Sequence, residues 1–229
     1  MTLPPAEPDS GGSATPGLFV AFEGGEGCGK STQVPRLAGW LRERGHQVRT
    51  TFEPGDGVLG RAIRSIVLDP ANTELSDRAE ALLYAADRAQ HVVATILPAL
   101  AAGEIVITDR YVDSSLAYQS AGRGQPFAEI AHLSAWATQG LVPALTVLLD
   151  VPVEVGLARA RGRAAADRLE GESQAFHERV RATFLDLAAA DPSRYLVLDA
   201  TASPESLTGQ ITERVSPLLS GDVGSKVGS

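Results

Sequence analysis

Residues 24–31 constrain the fold more than any other part of the chain. They read Gly-Gly-Glu-Gly-Cys-Gly-Lys-Ser, and a short apolar run, residues 18–22, ends one residue before them. Such a run between glycine-rich stretches is typical of a strand that is buried on both faces of a parallel sheet. Glycines in the following loop let backbone N–H groups surround an anion without obstruction. The order Gly-x-x-x-x-Gly-Lys-Ser therefore predicts a phosphate-binding loop.

Each part of this loop has a physical task. The helix that begins near Ser31 directs the positive end of its dipole at the bound phosphates. Lys30 has the length to reach the β- and γ-phosphates of ATP, and the hydroxyl of Ser31 is a ligand for Mg²⁺. We interpret Cys28, the single cysteine, as a small packed side chain without redox chemistry. The predicted nucleotide-binding set is Gly24, Gly25, Glu26, Gly27, Cys28, Gly29, Lys30, Ser31 and Thr32.

Further apolar runs alternate with helical patterns along the chain. We predict strands at 18–22, 48–52, 105–109, 145–150 and 195–198, with helices between them. Alternation of this kind predicts an α/β fold with a five-stranded parallel sheet and helices on both faces, the P-loop NTPase fold. We expect one domain, 17–219, with a lid at about 160–171. We expect the tails, 1–16 and 220–229, to be disordered.

Composition limits the partners of the chain. The formal net charge is -8 and the pI is near 5.0. This balance argues against a nucleic-acid polymer, whose binding needs a basic surface. A single cysteine excludes an internal disulfide and fits a reducing compartment. Because no segment is typical of a signal peptide or a membrane span, we expect a cytoplasmic protein.

The loop alone does not choose among P-loop proteins. A GTP-binding switch needs an Asn-Lys-x-Asp segment after a late strand, but the strand ending at Asp150 continues Val151-Pro152-Val153. A small-molecule kinase instead needs a second pocket and cations that screen two anionic substrates. The candidate segments for that pocket are Glu53-Pro54-Gly55, Leu83-Tyr84-Ala85-Ala86-Asp87-Arg88, Asp109-Arg110-Tyr111, Ser115-Leu116-Ala117-Tyr118-Gln119, Gly122-Arg123-Gly124 and Asp167-Arg168-Leu169-Glu170.

The order and spacing of these segments are similar to those of bacterial thymidylate kinases, from about residue 18 to residue 218. The resemblance implies transfer of a phosphoryl group from Mg-ATP to dTMP, and a homodimer. It also implies that Arg110 holds the dTMP phosphate and that Asp109 organises the Mg²⁺ shell through water. A planar guanidinium suits a pair of phosphate oxygens.

The resemblance assigns further residues to the acceptor. Tyr84 would stack on the base, and Arg88, one helical turn later, would donate to a base carbonyl. On the residues alone, a core aromatic beside an arginine with a buried stem is the better explanation of this pair, and only the resemblance favours the substrate contacts. The remaining predicted substrate contacts are Glu26, Glu53, Arg64, Ser115, Tyr118 and Gln119.

A mobile lid is predicted to supply one more cation. Similar proteins without a basic residue at the positions of Gly27 and Cys28 take this arginine from the lid, which closes over ATP. The candidates are Arg161, Arg163 and Arg168, and the sequence does not choose among them. A solvated helix face is the alternative explanation of this arginine cluster.

One loop departs from the family pattern, which commonly reads Arg-Glu-Pro-Gly-Gly. This chain has Phe52 and Asp56 at the first and last of these positions. The exchange predicts weaker binding of the acceptor phosphate unless Arg64 or Arg110 compensates. Two other functions therefore stay open: a kinase for another monophosphate or a deoxynucleoside, and a P-loop ATP-binding protein without catalysis.

Overall fold

The computed structural model of the chain describes residues 17–162 and 167–219. Within these residues five strands form one sheet. The strands are β1 (Phe19–Glu23), β2 (Val48–Phe52), β3 (Ile105–Asp109), β4 (Leu145–Asp150) and β5 (Tyr195–Asp199). All pairings are parallel, in the order β2-β3-β1-β4-β5. The predicted α/β fold is confirmed, and each predicted strand is found to within about a residue.

Helices cover both faces of the sheet within the described residues. They are α1 (Lys30–Arg42), α2 (Gly57–Val67), α3 (Asp77–His91), α4 (Leu97–Ala101), α5 (Val112–Ser115), α6 (Phe127–Thr138), α7 (Val153–Arg161), α8 (Gln174–Ala190) and α9 (Pro204–Leu219). The predicted tails lie outside the described residues. Among the described residues, no helix has both the length and the apolar composition to cross a membrane.

Successive side chains of β1 point to opposite faces of the sheet, and both faces are apolar there. Val20 and Phe22 pack with α1 and α9 on one face. Phe19 and Ala21 point to the other face, where they pack against the helical segment that follows α3. Because successive side chains of a strand point to opposite faces, a strand that is covered on both sides needs a continuous apolar run.

Two helical stretches contain π-helical turns. The stretch at 77–101 is α3, then a π-helical turn, Val92–Ile96, then α4. The short helix α5 continues into a second π-helical segment, Leu116–Gly122. Such turns change the direction of side chains along a helix, and apolar periodicity does not predict them.

The carboxyl ends of β1, β2 and β3 lie side by side. Phe22 and Phe52 are both in register with Asp109. The chain segments that leave these strands are the phosphate loop, the loop at 53–56 and the segment at 110–111. Parallel sheets bind ligands at this end of their strands, so the topology brings three of the predicted site segments together.

Candidate active site

The phosphate loop adopts backbone angles that only glycine accepts easily. Gly24 has φ 133°, and Gly27 has φ 63°. A Cβ atom on Gly27 would lie 2.1 Å from the carbonyl oxygen of Gly156, which is buried in α7. A Cβ atom on Gly156 would in turn lie 2.4 Å from the carbonyl oxygen of Glu26. The loop and α7 therefore approach so closely that both positions require glycine.

Lys30 curls back over the phosphate loop. Its ammonium group donates to the carbonyl oxygens of Gly24 (3.0 Å) and Gly25 (3.2 Å) and lies 3.4 Å from the Sγ atom of Cys28. The side chain is buried, at the first residue of α1. An ammonium group held at the centre of the loop has donors for the phosphates of a nucleotide.

Two cavities meet beside this loop. The loop cavity, about 470 Å³, is lined by residues 26–31 together with Phe52, Asp109 and Ala160. The side cavity, about 160 Å³, is lined by Tyr84, Arg88, Ser115, Tyr118, Gln119 and Leu169, among others. Both cavities are also lined by Glu26, Glu53, Arg64, Leu68, Arg110, Asp167 and Glu170. The structure thus brings residues 26–31 of the predicted nucleotide-binding set and the predicted acceptor residues to one continuous cleft.

Arg110 stands where the two cavities join. It has a left-handed backbone, φ 72°, and its guanidinium donates to Glu26 (2.7 Å), to the carbonyl oxygen of Gly24 (3.3 Å) and to Ser114 (3.2 Å). Tyr118 donates its hydroxyl to the same Glu26 oxygen, at 2.8 Å. The guanidinium also lies over the Tyr118 ring, 5.0 Å from its centroid. Arg110 therefore faces both cavities, paired with a carboxylate of the phosphate loop.

Protonation of this cluster is set by its burial and charges. Burial alone would raise the pKa of Glu26, but Arg110 and Lys30 outweigh it and hold that pKa below its usual value. Burial raises the pKa of Tyr118 well above its usual value, and the carboxylate of Glu26 raises it further. The phenol therefore remains a donor to an ionised carboxylate near neutral pH.

Glu23 fixes the segment that carries Arg110. It is the last residue of β1 and is fully buried. Its carboxylate accepts the backbone N–H of Tyr111 (2.8 Å), the N–H of Ser114 (3.2 Å) and the hydroxyl of Ser114 (2.6 Å). Burial, with Asp113 nearby, raises the pKa of Glu23 to about 7. The residue before the phosphate loop therefore holds the residues that follow Arg110.

One wall of the side cavity contains a buried ion pair between Arg88 and Glu53. Arg88 donates to Glu53 (2.7 Å), to Ser115 (3.0 Å) and to the carbonyl oxygen of Tyr111 (2.9 Å). His91 Nδ1 lies 2.8 Å from the other oxygen of Glu53, and its Nε2 lies 2.6 Å from the Thr51 hydroxyl. Since a carboxylate only accepts, Nδ1 of His91 donates to Glu53. Arg88 is therefore hydrogen-bonded to both Glu53 and Ser115 in the wall of the side cavity.

The loop at 53–56 places its charges differently from the sequence-based expectation. Asp56 accepts from the Thr95 hydroxyl (3.0 Å) and lies 3.6 Å from His91 Nε2, and it lines neither cavity. The anion that we expected beside the acceptor phosphate is therefore turned away from the cleft. Arg64, which lines both cavities, donates to the carbonyl oxygen of Pro54 at 2.7 Å.

The predicted lid arginines lie in different surroundings. Arg161 is exposed at the last residue of α7, and Arg163 falls outside the described residues. Arg168 donates to the carbonyl oxygen of Val67 (2.9 Å) and forms an ion pair with the buried carboxylate of Glu80. In this arrangement Arg168 is held by α2 and α3.

Sequence reasoning missed four residues that build the cleft: Glu23, Glu80, His91 and Gly156. Glu80 and His91 are buried polar side chains whose partners lie far away in sequence, so local patterns carry no signal for them. Only Glu23 had a usable signal, because an acidic residue directly follows the apolar residues of β1.

The oxygen groups beside the loop fit a hard cation. Ser31 and Asp109 both line the loop cavity and would offer a hydroxyl and a carboxylate oxygen. Mg²⁺ prefers such ligands and is usually held by few protein groups together with water and substrate phosphates. In the described part of the chain, no group of three or more His, Cys, Asp or Glu residues has the arrangement of a metal site. Ser31 and Asp109 therefore suit a cation that is held partly by these two residues and partly by a bound nucleotide.

This fold and cleft define a P-loop nucleotide-binding protein with a second, polar cavity next to the phosphate loop. Comparison with known proteins narrows the class. The family model described as Thymidylate kinase matches residues 22–211. The chain belongs to the thymidylate kinase family.

Relatives of similar length support this assignment. The chain is 52% identical over 203 residues to a thymidylate kinase of Cutibacterium acnes, covering 89% of this chain and 98% of the relative. It is 52% identical to the thymidylate kinase of Clavibacter sepedonicus, covering 89% of this chain and 96% of the relative. For that of Deinococcus radiodurans the identity is 52%, with 87% and 97% covered.

Proposed function

We propose that this chain transfers the γ-phosphoryl group of ATP to dTMP and so produces dTDP for dTTP synthesis. The observation that carries this proposal is the position of Arg110, which lines both the loop cavity and the side cavity. One guanidinium at the junction of two cavities can contact a donor and an acceptor phosphate at once. The family assignment supplies the identity of the acceptor.

The positions of the residues in the cleft support the roles that the resemblance implies. ATP occupies the loop cavity, with its phosphates on the backbone N–H groups of residues 24–32 and on Lys30. dTMP occupies the side cavity, with its base against Tyr84 and Arg88 and its phosphate toward Arg110. Ser115, Tyr118 and Gln119 line the same cavity and complete the contacts to the nucleoside. Arg64 lies between the cavities, as a second cation near the acceptor phosphate.

No general base is needed, because the acceptor phosphate is already anionic. In phosphoryl transfer the protein contributes position and charge, and the reacting oxygens must be in line. Lys30 and Arg110 supply positive charge from the loop and from the end of β3. The lid adds a third cation, which we assign to Arg161 or Arg163.

Mg²⁺ belongs in the loop cavity, held by Ser31 and, through water, by Asp109. When bound, it neutralises charge on the phosphates of ATP.

An acceptor panel tests the proposal. ADP formation is followed in a coupled assay with dTMP, dUMP, UMP, CMP and AMP. We expect dTMP to give the highest kcat/KM and Lys30→Ala to abolish most of the rate. If dTMP is no better than AMP, the chain is a kinase for another acceptor. If ATP is hydrolysed slowly and no monophosphate changes the rate, the chain is a binding protein.

We also propose a cytoplasmic homodimer. Among the described residues, five of the eleven exposed large apolar side chains lie on α2 and on the helical segment at 77–96: Val58, Leu59, Ile66, Leu82 and Val93. Apolar surface of this kind is typical of a protein contact when its members are contiguous. Light scattering coupled to gel filtration should give twice the mass of 24.0 kDa, and a mass of one chain would contradict the proposal.

A further inference from the structure

Glu80 is a buried carboxylate that the proposed chemistry does not use. It lies on α3 and is fully buried. Tyr84 follows one helical turn later and Arg88 two turns later, so the three share one face of the helix. Isolated burial of a carboxylate is costly, and such groups are retained when charged partners surround them. The partners of Glu80 therefore indicate what this residue holds in place.

Three side chains from two segments, the segment at 116–123 and the segment at 167–170, converge on Glu80. Gln119, which lines the side cavity, donates its amide N–H to Oε1 at 2.9 Å. Arg123 donates Nε to both oxygens at 3.3 Å, and Arg168 forms an ion pair with Oε2. Arg123 also forms an ion pair with Glu172. One carboxylate thus joins the wall of the side cavity to the described part of the lid that follows residue 166.

Arg168 is engaged through Nε and Nη2 of its guanidinium. Besides Glu80 it binds the carbonyl oxygen of Val67, and its backbone N–H donates to the carbonyl oxygen of Leu68 at 3.1 Å. Its side chain is only 12% exposed. Its neighbours Asp167, Leu169 and Glu170 all line the side cavity. The contacts of Arg168 therefore fix a stretch of cavity wall.

We propose that Glu80 is a positioning residue of the acceptor site and that Arg168 acts through it. The pair holds residues 167–170 against α2 and α3, so that this segment closes the side cavity beside Gln119. The inference rests on the proposed function for its kinetic consequence. If Arg168 has this positioning role, the lid cation that neutralises charge during phosphoryl transfer is Arg161 or Arg163.

A double-mutant cycle tests this assignment through kinetics. Glu80→Gln, Arg168→Gln and the double variant are compared with the parent protein for kcat and for KM of dTMP and ATP. We expect each single change to raise the KM of dTMP about tenfold while kcat stays within about threefold, since wall position affects binding more than the chemical step. The double variant should match the single ones, because residues that act as one unit are not additive. Arg168→Lys, which keeps the charge, should recover part of the loss.

The matched control is Arg36→Gln, which removes an arginine from an exposed ion pair with Glu205 between α1 and α9. Its kinetic constants should equal those of the parent. The inference is overturned if Arg168→Gln lowers kcat by a hundredfold or more with KM unchanged, or if the two effects multiply. If Glu80→Gln does not fold, Arg168→Gln and Arg168→Lys decide by the same split of KM against kcat.

A second readout does not depend on the acceptor. Amide hydrogen exchange is measured in the ligand-free protein, where the N–H of Arg168 is bonded to Leu68 and that of Gly171 to Asp167. We expect exchange over residues 168–172 to be at least tenfold faster in Glu80→Gln than in the parent, because local opening becomes easier. Unchanged exchange refutes the inference. If dTMP proves not to be the acceptor, the proposed function fails while this readout still judges Glu80.

Discussion

The loop cavity and the side cavity are built differently, although seven residues line both. Six residues that line the loop cavity, 26–31, come from one continuous stretch that includes Lys30. The side cavity draws on segments that are separated by more than a hundred residues, from Glu53 to Glu170. Its polar side chains are bound to one another, as in the pair of Arg88 with Glu53.

The two cavities differ because binding a phosphate and binding a nucleoside make different physical demands. A phosphate site needs a high local density of donors, which a short loop at a helix N-terminus supplies by itself. A nucleoside site needs shape, and its polar side chains must stay fixed in a buried setting, where each requires a partner. The carboxylates of Glu53 and Glu80 act as such partners. Arg110, which follows β3, lies where the two cavities join, and Glu23, at the end of β1, holds the segment that carries Arg110.

The strongest test of the comparison removes the charge of the loop cavity alone. In Lys30→Ala we expect kcat to fall about a thousandfold, near 4 kcal/mol, because the ammonium stabilises charge on the transferring group. dTMP should bind with nearly unchanged affinity in calorimetry, since Lys30 does not line the side cavity. An equal loss of dTMP affinity would mean that the two cavities are not separate.

A second test uses the pH dependence of stability to examine Glu23, which holds the segment after Arg110. Its pKa is raised from 4.5 to about 7 in the folded chain, so the folded state binds the proton more tightly than the unfolded state. The stabilisation is complete below pH 4.5 and is lost as the pH rises through 7, which amounts to about 3 kcal/mol. Urea unfolding between pH 4.5 and 7 should show this fall in the parent, and a smaller fall in Glu23→Gln.

The control for this experiment is Glu129→Gln, at an exposed position of α6. It should keep the pH dependence of the parent. Identical slopes in Glu23→Gln and the parent would show that Glu23 does not titrate in this range.

Arg110 should resist conservative replacement. Arg110→Lys retains the charge but loses the planar fork that reaches Glu26, Gly24 and Ser114 together. We expect kcat/KM for dTMP to fall roughly 50-fold, with changes in both kcat and KM because the residue faces both cavities. A lysine variant with full activity would reduce the role of Arg110 to that of a point charge.

The smallest effect is expected at the loop after β2. Asp56 faces Thr95 and His91 instead of the cleft, so Asp56→Gly should change the KM of dTMP by less than about threefold. A larger fall in KM would restore the sequence-based expectation that this anion opposes the acceptor phosphate.

The sequence predicted the loop cavity well because its information is local. Strand β1, the glycine pattern and Lys30 all lie within one short stretch, residues 19–31, and parallel strands that are buried on both sides show as apolar runs. The side cavity was predicted only through resemblance to a family. Its supports, such as His91 on Glu53 and Arg168 on Glu80, join residues 38 and 88 positions apart. Single-chain patterns do not encode such pairs, and the π-helical segments that direct Tyr118 and Gln119 are equally invisible to apolar periodicity.

The most direct test of the central claim is a crystal structure of the protein with dTMP and a non-hydrolysable ATP analogue. We predict that the base lies against Tyr84 in the side cavity and that the dTMP phosphate lies within hydrogen-bond distance of Arg110. The triphosphate should lie on residues 24–32 with Lys30 at its β- and γ-phosphates. A dTMP molecule bound outside the side cavity, or a phosphate that does not contact Arg110, would contradict the account.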